Sequence, residues 1–341
     1  MGTTNEPTIF EAIAAQYDLG GPVEIRSELS GMNNTTRFVY AGTRKYVLRV
    51  YENHCDESKL RFEHGILERL QRLGLPFQTP RVLRTRGEAD TFVTGPDGKL
   101  ASLFYYIEGR RPDPGILKHV EGIGATSGAL IEALAAVEMA EGLVGHQPYY
   151  LLQDNYPTAM DALRSIMEKP VPDRALQGLR EEAEFLIGEV RSFQELIPQL
   201  SGLPHQLIHG DIVFDNALAE GDKIIGLLDF EFVTFDLRAM ELAVITGELL
   251  QPGDSSVWET VQTLLSGYGN VHKLTREEAE ALPALIKLRR LDVFLHFTER
   301  YVGGLDLADV LRSQLMKSAA LCRWIGEHEE RLRSMCRELL V

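Results

Sequence analysis

Three residues in the segment LIHGDIVFDNALAEGDKIIGLLDFE, Leu207 to Glu231, carry side chains able to hold a cation: Asp211, Asn216 and Asp229. Apolar runs bracket them, which puts each at the end of a short strand and supplies the oxygen donors a hard cation prefers. Read as composition alone, the same residues could cap turns in a polar loop. His205 and His209 do not make a zinc pair, since residues four apart in a strand lie about 13 Å apart.

A second group lies upstream. Arg49 interrupts the apolar run Tyr46 to Tyr51. Glu63 shares a helical row with Ile66, Leu70 and Leu73. A carboxylate on an apolar stripe needs a partner, and Arg49 is the candidate; the alternative is a solvated charge at the edge of the stripe. The run Gly122-Ile123-Gly124-Ala125-Thr126-Ser127-Gly128 misses the dinucleotide spacing by one residue and has no strand before it. No GxxxxGK[ST] run is present, so the chain is not read as a P-loop enzyme.

The elements that must position these residues follow from periodicity. A short amphipathic segment (Ile9, Phe10, Ile13, Tyr17) precedes a strand-like alternation from Val23 to Tyr51, broken at Ser30 to Asn34 and at Ala41-Gly42. Asp56 to Leu73 has helical spacing and ends at Gly74. Further strands are expected at Arg81 to Thr85, Thr91 to Thr94 and Leu100 to Ile107, the last two joined by the turn Gly95-Pro96-Asp97-Gly98. Gly109 to Pro114 reads as a connector, after which helical spacing prevails: Gly128 to Leu143, Ala159 to Met167, Gly178 to Leu200, Met240 to Leu250, Arg276 to Tyr301 and Ser313 to Leu340. The expected division is 1–108, with a hinge near 104–109, and 109–341.

The composition sets outer limits. A chain of 341 residues suits two domains or one domain of two lobes, and 44% hydrophobic with 25% charged residues is ordinary for a globular protein. Lys and Arg number 35 against 50 Asp and Glu, a net charge of -15 that disfavours nucleic acid and anionic lipid as partners. Cys55, Cys322 and Cys336 form no CxxC pair, so neither a disulfide framework nor a thiolate metal site is signalled. The opening residues lack a basic, apolar leader pattern and no stretch of 18 apolar residues occurs, so a cytoplasmic protein is expected, with no membrane partner.

His209-Gly210-Asp211, Asn216 five residues beyond the aspartate, and Asp229-Phe230-Glu231 resemble the catalytic loop and metal-binding aspartate of the kinase-like phosphotransferases. That family holds the aminoglycoside phosphotransferases, choline kinases and the homoserine kinases of this fold. Asp236 and Glu241-Leu242-Ala243 extend the likeness, with Glu241 in place of the usual aspartate. The run Gly-Asp-x3-Asp-Asn and the aspartate seven residues after Asp229 are most similar to homoserine kinase.

The resemblance implies an α+β, bilobal protein-kinase-like fold, with a small antiparallel-sheet N-lobe and a larger, mainly helical C-lobe. It implies ATP and Mg2+ as cofactors, Asp211 as base or aligner of the acceptor hydroxyl, and Asn216 and Asp229 as metal ligands. His209 takes a supporting role. Arg49 stands where the family carries a strand lysine that holds phosphates, with Glu63 as its helix partner. Ser30, Gly31, Asn33, Asn34 and Thr35 fall in the loop over the ATP phosphates, though an ordinary hairpin loop has the same composition. Tyr105 and Tyr106 fall at the hinge that meets adenine; they point to opposite faces of a strand, so at most one can contact the base, and both suit the core equally.

The expected activity is phosphorylation of a hydroxyl on a small-molecule acceptor. Net acidity, with Asp236 and Glu231 lining the acceptor site, suggests an amino alcohol of the homoserine, choline or aminoglycoside type; Glu231 could instead flank the metal, and Glu241 could only cap a helix. The alternatives are a pseudokinase without turnover, motivated by Arg49 and Glu241, a sugar kinase, and a protein-side-chain kinase. The last needs an activation segment for which the chain after Asp229 leaves little room.

Overall fold

The computed structural model describes residues 8–27, 34–52, 55–138, 145–168 and 174–341. The chain divides into two units. One comprises Met1–Arg110, Val137–Gly145 and Ile225–Glu231; the other comprises Arg111–Ala136, His146–Ile224 and Phe232–Val341. A single cut at 108/109 therefore does not describe the chain, because the segment bearing Asp229 belongs with the N-terminal residues.

In the first unit, helix α1 (Ile9–Ala14) starts on a capping box in which the Thr8 side chain accepts from the Glu11 amide and the Glu11 side chain accepts from the Thr8 amide. Strands β1 (Val23–Arg26), β2 (Asn34–Ala41) and β3 (Arg44–Tyr51) follow, then helix α2 (Glu57–Leu70) and strands β4 (Val93–Thr94) and β5 (Leu100–Tyr105). They form an antiparallel sheet in the order β1-β2-β3-β5-β4, with β3 in the middle. The period-two pattern of β3 places Tyr46, Leu48 and Val50 in a core with Ile13 and Tyr17 of the α1 region. Arg49 falls on the opposite face, paired in register with Thr36 and Ser102. On that side Tyr51 packs with Leu60 of α2, so α2 covers the face that carries the arginine.

Arg81 to Thr85, expected as a strand, makes only isolated bridges, Val82 with Phe104 and Thr85 with Tyr17. Pro80 before it lacks the amide a continuous ladder needs. Gln78 instead pairs with the aspartate segment: its amide donates to the Ile225 carbonyl at 2.8 Å, and the Leu227 amide donates to its carbonyl at 2.9 Å.

The second unit is mainly helical: α3 (Leu117–Ala135), α4 (Leu152–Asn155), α5 (Ala159–Glu168), α6 (Arg180–Leu200), α7 (Met240–Leu249), α8 (Val257–Gly269), α9 (Arg276–Val302) and α10 (Ala308–Leu340). Strand β6 (His205–Ile208) pairs antiparallel with β9 (Thr234–Leu237), and β7 (Ala217–Glu220) pairs with β8 (Lys223–Leu227), within which the chain leaves the unit. Helix α3 begins well before the expected Gly128 and takes in the whole glycine-rich run. The glycines serve a close crossing with α8. A Cβ on Gly124 would lie 2.3 Å from the Leu264 carbonyl oxygen, and one on Gly267 would lie 2.3 Å from that of Glu121. Helix α8 itself was not expected from periodicity. Helix α9 starts on a second capping box, Thr275 with Glu278, and the buried Glu278 also takes a two-point contact from Arg238.

Candidate active site

The first unit brings together Arg49, Glu63 and Asp229, the residues expected on the phosphate side. Arg49 Nη1 lies 2.8 Å from Asp229 Oδ1 and 3.9 Å from Glu63 Oε1. Glu63 is buried, 4% exposed, so the reading of it as a solvated edge charge does not hold. Burial pushes its carboxyl up to about 8 despite the opposing pull of Arg49. For Arg49, burial works against the charge, but the neighbouring acids, Asp229 foremost, outweigh it and hold the guanidinium firmly protonated. Asp229 has a left-handed backbone, φ 63°, which an aspartate tolerates better than a branched residue.

Asn34 Nδ2 donates to Glu231 Oε2 at 2.5 Å, and the Thr35 hydroxyl donates to Glu52 at 2.7 Å. Ser30, Gly31 and Asn33 lie outside the described residues. Glu231, expected to line the acceptor, is thus grouped by the structure with Asn34 and Asp229; the two-residue step from Asp229 keeps it in the same segment. Tyr105 lies under the Arg81 guanidinium, 3.7 Å from ring centre to Cζ, and Tyr106 under Lys45 Nζ at 3.9 Å. Their amides donate to the Arg81 and Lys45 carbonyls, so neither tyrosine amide remains for adenine.

The second unit holds Asp211, the expected aligner of the acceptor hydroxyl, at the centre of a hydrogen-bonded cluster. Its Oδ1 accepts from Arg289 Nη2 at 2.6 Å and its Oδ2 from Asn216 Nδ2 at 3.0 Å, so both oxygens are fixed in direction. The Asp211 amide donates to His209 Nδ1 at 3.2 Å, which in a neutral ring puts the proton on Nε2. Gly210 between them has φ 79°, and a Cβ there would meet the Phe232 carbonyl at 2.9 Å. Only glycine fits this turn.

Two acids expected near the substrate instead hold backbone. Asp236 is fully buried: its Oδ2 accepts from the Tyr149 amide and its Oδ1 from the Leu237 amide, both at 2.6 Å. Burial pushes its carboxyl up to about 7. It cannot line an open acceptor floor, because it has no open surface. Glu241, also fully buried, accepts from the His209 amide at 2.5 Å and the Gly210 amide at 3.4 Å, and burial pushes it up to about 8. Its longer side chain thus reaches the His209–Gly210 backbone from the start of α7.

Sequence reasoning missed the far side of this cluster. Arg289 on α9 also donates from Nη1 to the Tyr149 hydroxyl at 3.0 Å, and that hydroxyl donates to the Gly210 carbonyl at 2.6 Å. Asp292 Oδ1 accepts from the Tyr156 hydroxyl at 2.7 Å; burial pushes Asp292 up to about 6 against the pull of Arg289. The available signal was Arg289 and Asp292, three apart and so on one face of α9.

Oxygen donors suited to magnesium are present in each unit. Asp229 keeps its Oδ2, and Asn216, whose Nδ2 is engaged by Asp211, keeps its Oδ1, without a protein hydrogen bond among the described residues. No group of three His, Cys, Asp or Glu side chains with metal-site geometry occurs among the described residues.

A sequence profile of the phosphotransferase enzyme family matches residues 24–282. The chain belongs to that phosphotransferase enzyme family. A homoserine kinase of Agrobacterium fabrum is 29% identical over 285 residues, covering 82% of this chain and 81% of the relative. One of Rhizobium meliloti is 28% identical, covering 82% and 80%. Among solved structures, a microcompartment-associated aminopropanol kinase superposes with a TM-score of 0.65 at 18% identity, covering 93% of this chain and 96% of the other. The fold is the kinase-like one of these phosphotransferases, and the protein is an ATP-dependent small-molecule kinase acting on a hydroxyl. Among the described residues, no helix is long and apolar enough to cross a membrane.

Proposed function

We propose that this phosphotransferase transfers the terminal phosphoryl group of Mg-ATP to the hydroxyl of an amino alcohol, with homoserine the first acceptor to test. The observation that carries the reading is Asp211, with one carboxylate oxygen on Arg289 and the other on Asn216. A carboxylate so fixed can align an incoming hydroxyl and receive its proton. The relatives that are homoserine kinases, matched over four-fifths of both chains, support an acceptor of that size and class.

Bound Mg-ATP supplies the phosphoryl group and a cation that neutralises its charge. Asp229 offers carboxylate oxygen and Asn216 amide oxygen to that cation. Arg49 binds phosphate oxygens from its place on β3, and Glu63 holds the guanidinium in position. Asn34 and Thr35 at the start of β2 would offer amides to the phosphates, as would Ser30, Gly31 and Asn33, which lie outside the described residues, and one of Tyr105 and Tyr106 would meet the adenine. In place of the expected acidic floor of Asp236 and Glu231, Asp211 is the acid available to an amine, since Asp292 is buried and holds Tyr156 and Arg289.

ADP release measured with L-homoserine, choline, an aminocyclitol and a neutral sugar tests the proposal. Turnover with an amine-bearing acceptor, lost in Asp211→Asn, is expected. Turnover with the sugar alone, or with none, overturns it.

A further inference from the structure

Arg289, in the second unit beside Asp211, is a cation that the reading above leaves without a role toward either substrate. Guanidinium has five N–H donors. Nη1 reaches the Tyr149 hydroxyl at 3.0 Å and Asp292 Oδ2 at 3.4 Å, and Nη2 reaches Asp211 Oδ1 at 2.6 Å. The Nε hydrogen and one Nη2 hydrogen have no protein acceptor among the described residues. The side chain is 18% exposed and that of Asp211 is 19%, so both keep an open edge. Three polar anchors orient the guanidinium, which presents its two remaining donors at a set position beside the oxygen the acceptor hydroxyl must approach.

Charge decides what fits there. One guanidinium faces two carboxylates, Asp211 and Asp292, so a plain anion is repelled. A plain amine would be attracted to the acids but would leave the paired N–H donors of Arg289 unanswered. A zwitterion satisfies both, with its carboxylate on the guanidinium and its ammonium offsetting the acidic excess. We infer that the acceptor is an α-amino acid with the reacting hydroxyl on its side chain, and that Arg289 selects it by binding the α-carboxylate through Nε and Nη2. This rests on the amino-alcohol reading above and sharpens it: choline and simple alkanolamines lack the group Arg289 recognises.

The test compares L-homoserine with 3-aminopropan-1-ol, which is the same molecule without its carboxylate, in the full-length protein and in Arg289→Met and Arg289→Lys. The unaltered protein should favour homoserine in kcat/KM by roughly 30-fold or more, the scale of a charge-assisted contact. Both variants should be slower with either acceptor, because Asp211 loses an anchor, so the ratio is the readout. It should collapse toward about threefold or less in Arg289→Met, and Arg289→Lys, which keeps the charge without the fork, should fall between. An unchanged ratio in the variants, or an unaltered protein that favours aminopropanol, overturns the inference while the amino-alcohol reading stands. Turnover of neither amine overturns that reading and this inference with it. If Arg289→Met does not fold, the ratio in the unaltered protein and in Arg289→Lys decides.

Discussion

Arg49 stands 2.8 Å from Asp229, closer than to Glu63, the partner expected from helical spacing, at 3.9 Å. The strand arginine and Asp229 therefore orient each other, and Glu63 supports the guanidinium from α2. Arg49→Ala should raise the Kd of Mg-ATP by about 10- to 100-fold, the worth of one or two charge-assisted contacts. Glu63→Gln should raise it less. Calorimetry on both single variants and the double variant should give a coupling of about 0.5 to 3 kcal/mol; strict additivity would make Glu63 an incidental buried charge.

Asp229→Ala removes both an oxygen donor and the nearest anion to Arg49. Nucleotide affinity should then become nearly independent of added Mg2+, whereas the unaltered protein should bind ATP more weakly once the metal is chelated. Equal Mg2+ dependence in the two proteins would dismiss Asp229 as a ligand.

Asp211→Asn keeps an oxygen for Arg289 but removes the carboxylate proposed to take up the acceptor proton. Turnover should fall by about 10²- to 10⁴-fold while Mg-ATP affinity stays within about twofold. A loss of nucleotide binding of the same size as the loss of rate would instead place Asp211 among the nucleotide contacts.

Burial holds Glu241 at about 8, Asp236 at about 7 and Asp292 at about 6, all above the ordinary carboxyl range. A carboxyl raised in the folded state contributes stability that is fully present below its unfolded value and is lost as pH rises through the folded value. For Glu241 that window runs from its ordinary 4.5 to about 8. Melting temperature should therefore decline with rising pH across this range, and Glu241→Gln should flatten the decline. Parallel curves for the two proteins would show that Glu241 does not titrate there.

Gly124→Ala would drive a methyl group to 2.3 Å from the Leu264 carbonyl, at the crossing of α3 and α8. Stability should fall by about 1 to 3 kcal/mol, with KM for both substrates unchanged in the protein that remains folded. Chemical denaturation measures this, and an unchanged midpoint would mean the crossing can open at no cost.

What could be read from the sequence was whatever had a local signature. The spacing of His209, Gly210, Asp211, Asn216 and Asp229 lies within one short stretch, and Glu63 betrayed itself as an acid on an apolar row. Asp236 misled because an acid just past a motif looks the same whether it faces solvent or accepts from the amide of Tyr149, a residue 87 positions away. Arg289 was invisible for the same reason, reaching Asp211 across 78 residues of chain. In sequence the run Gly122 to Gly128 reads as a near miss to a motif ahead of a helix starting at Gly128, whereas α3 contains it because its glycines allow the close crossing with α8.

The return of Ile225–Glu231 to the N-terminal unit also bears on how such a protein can be taken apart. A fragment ending at Arg110 would retain the whole five-stranded sheet, Arg49 and Glu63, yet lack Asp229 and the backbone that pairs with Gln78. The sheet is therefore not a transplantable cassette. Any chimera or split version that exchanges acceptor preference while preserving nucleotide handling has to carry Val137–Gly145 and the seven-residue Ile225–Glu231 along with the N-terminal piece, as three separate segments rather than one.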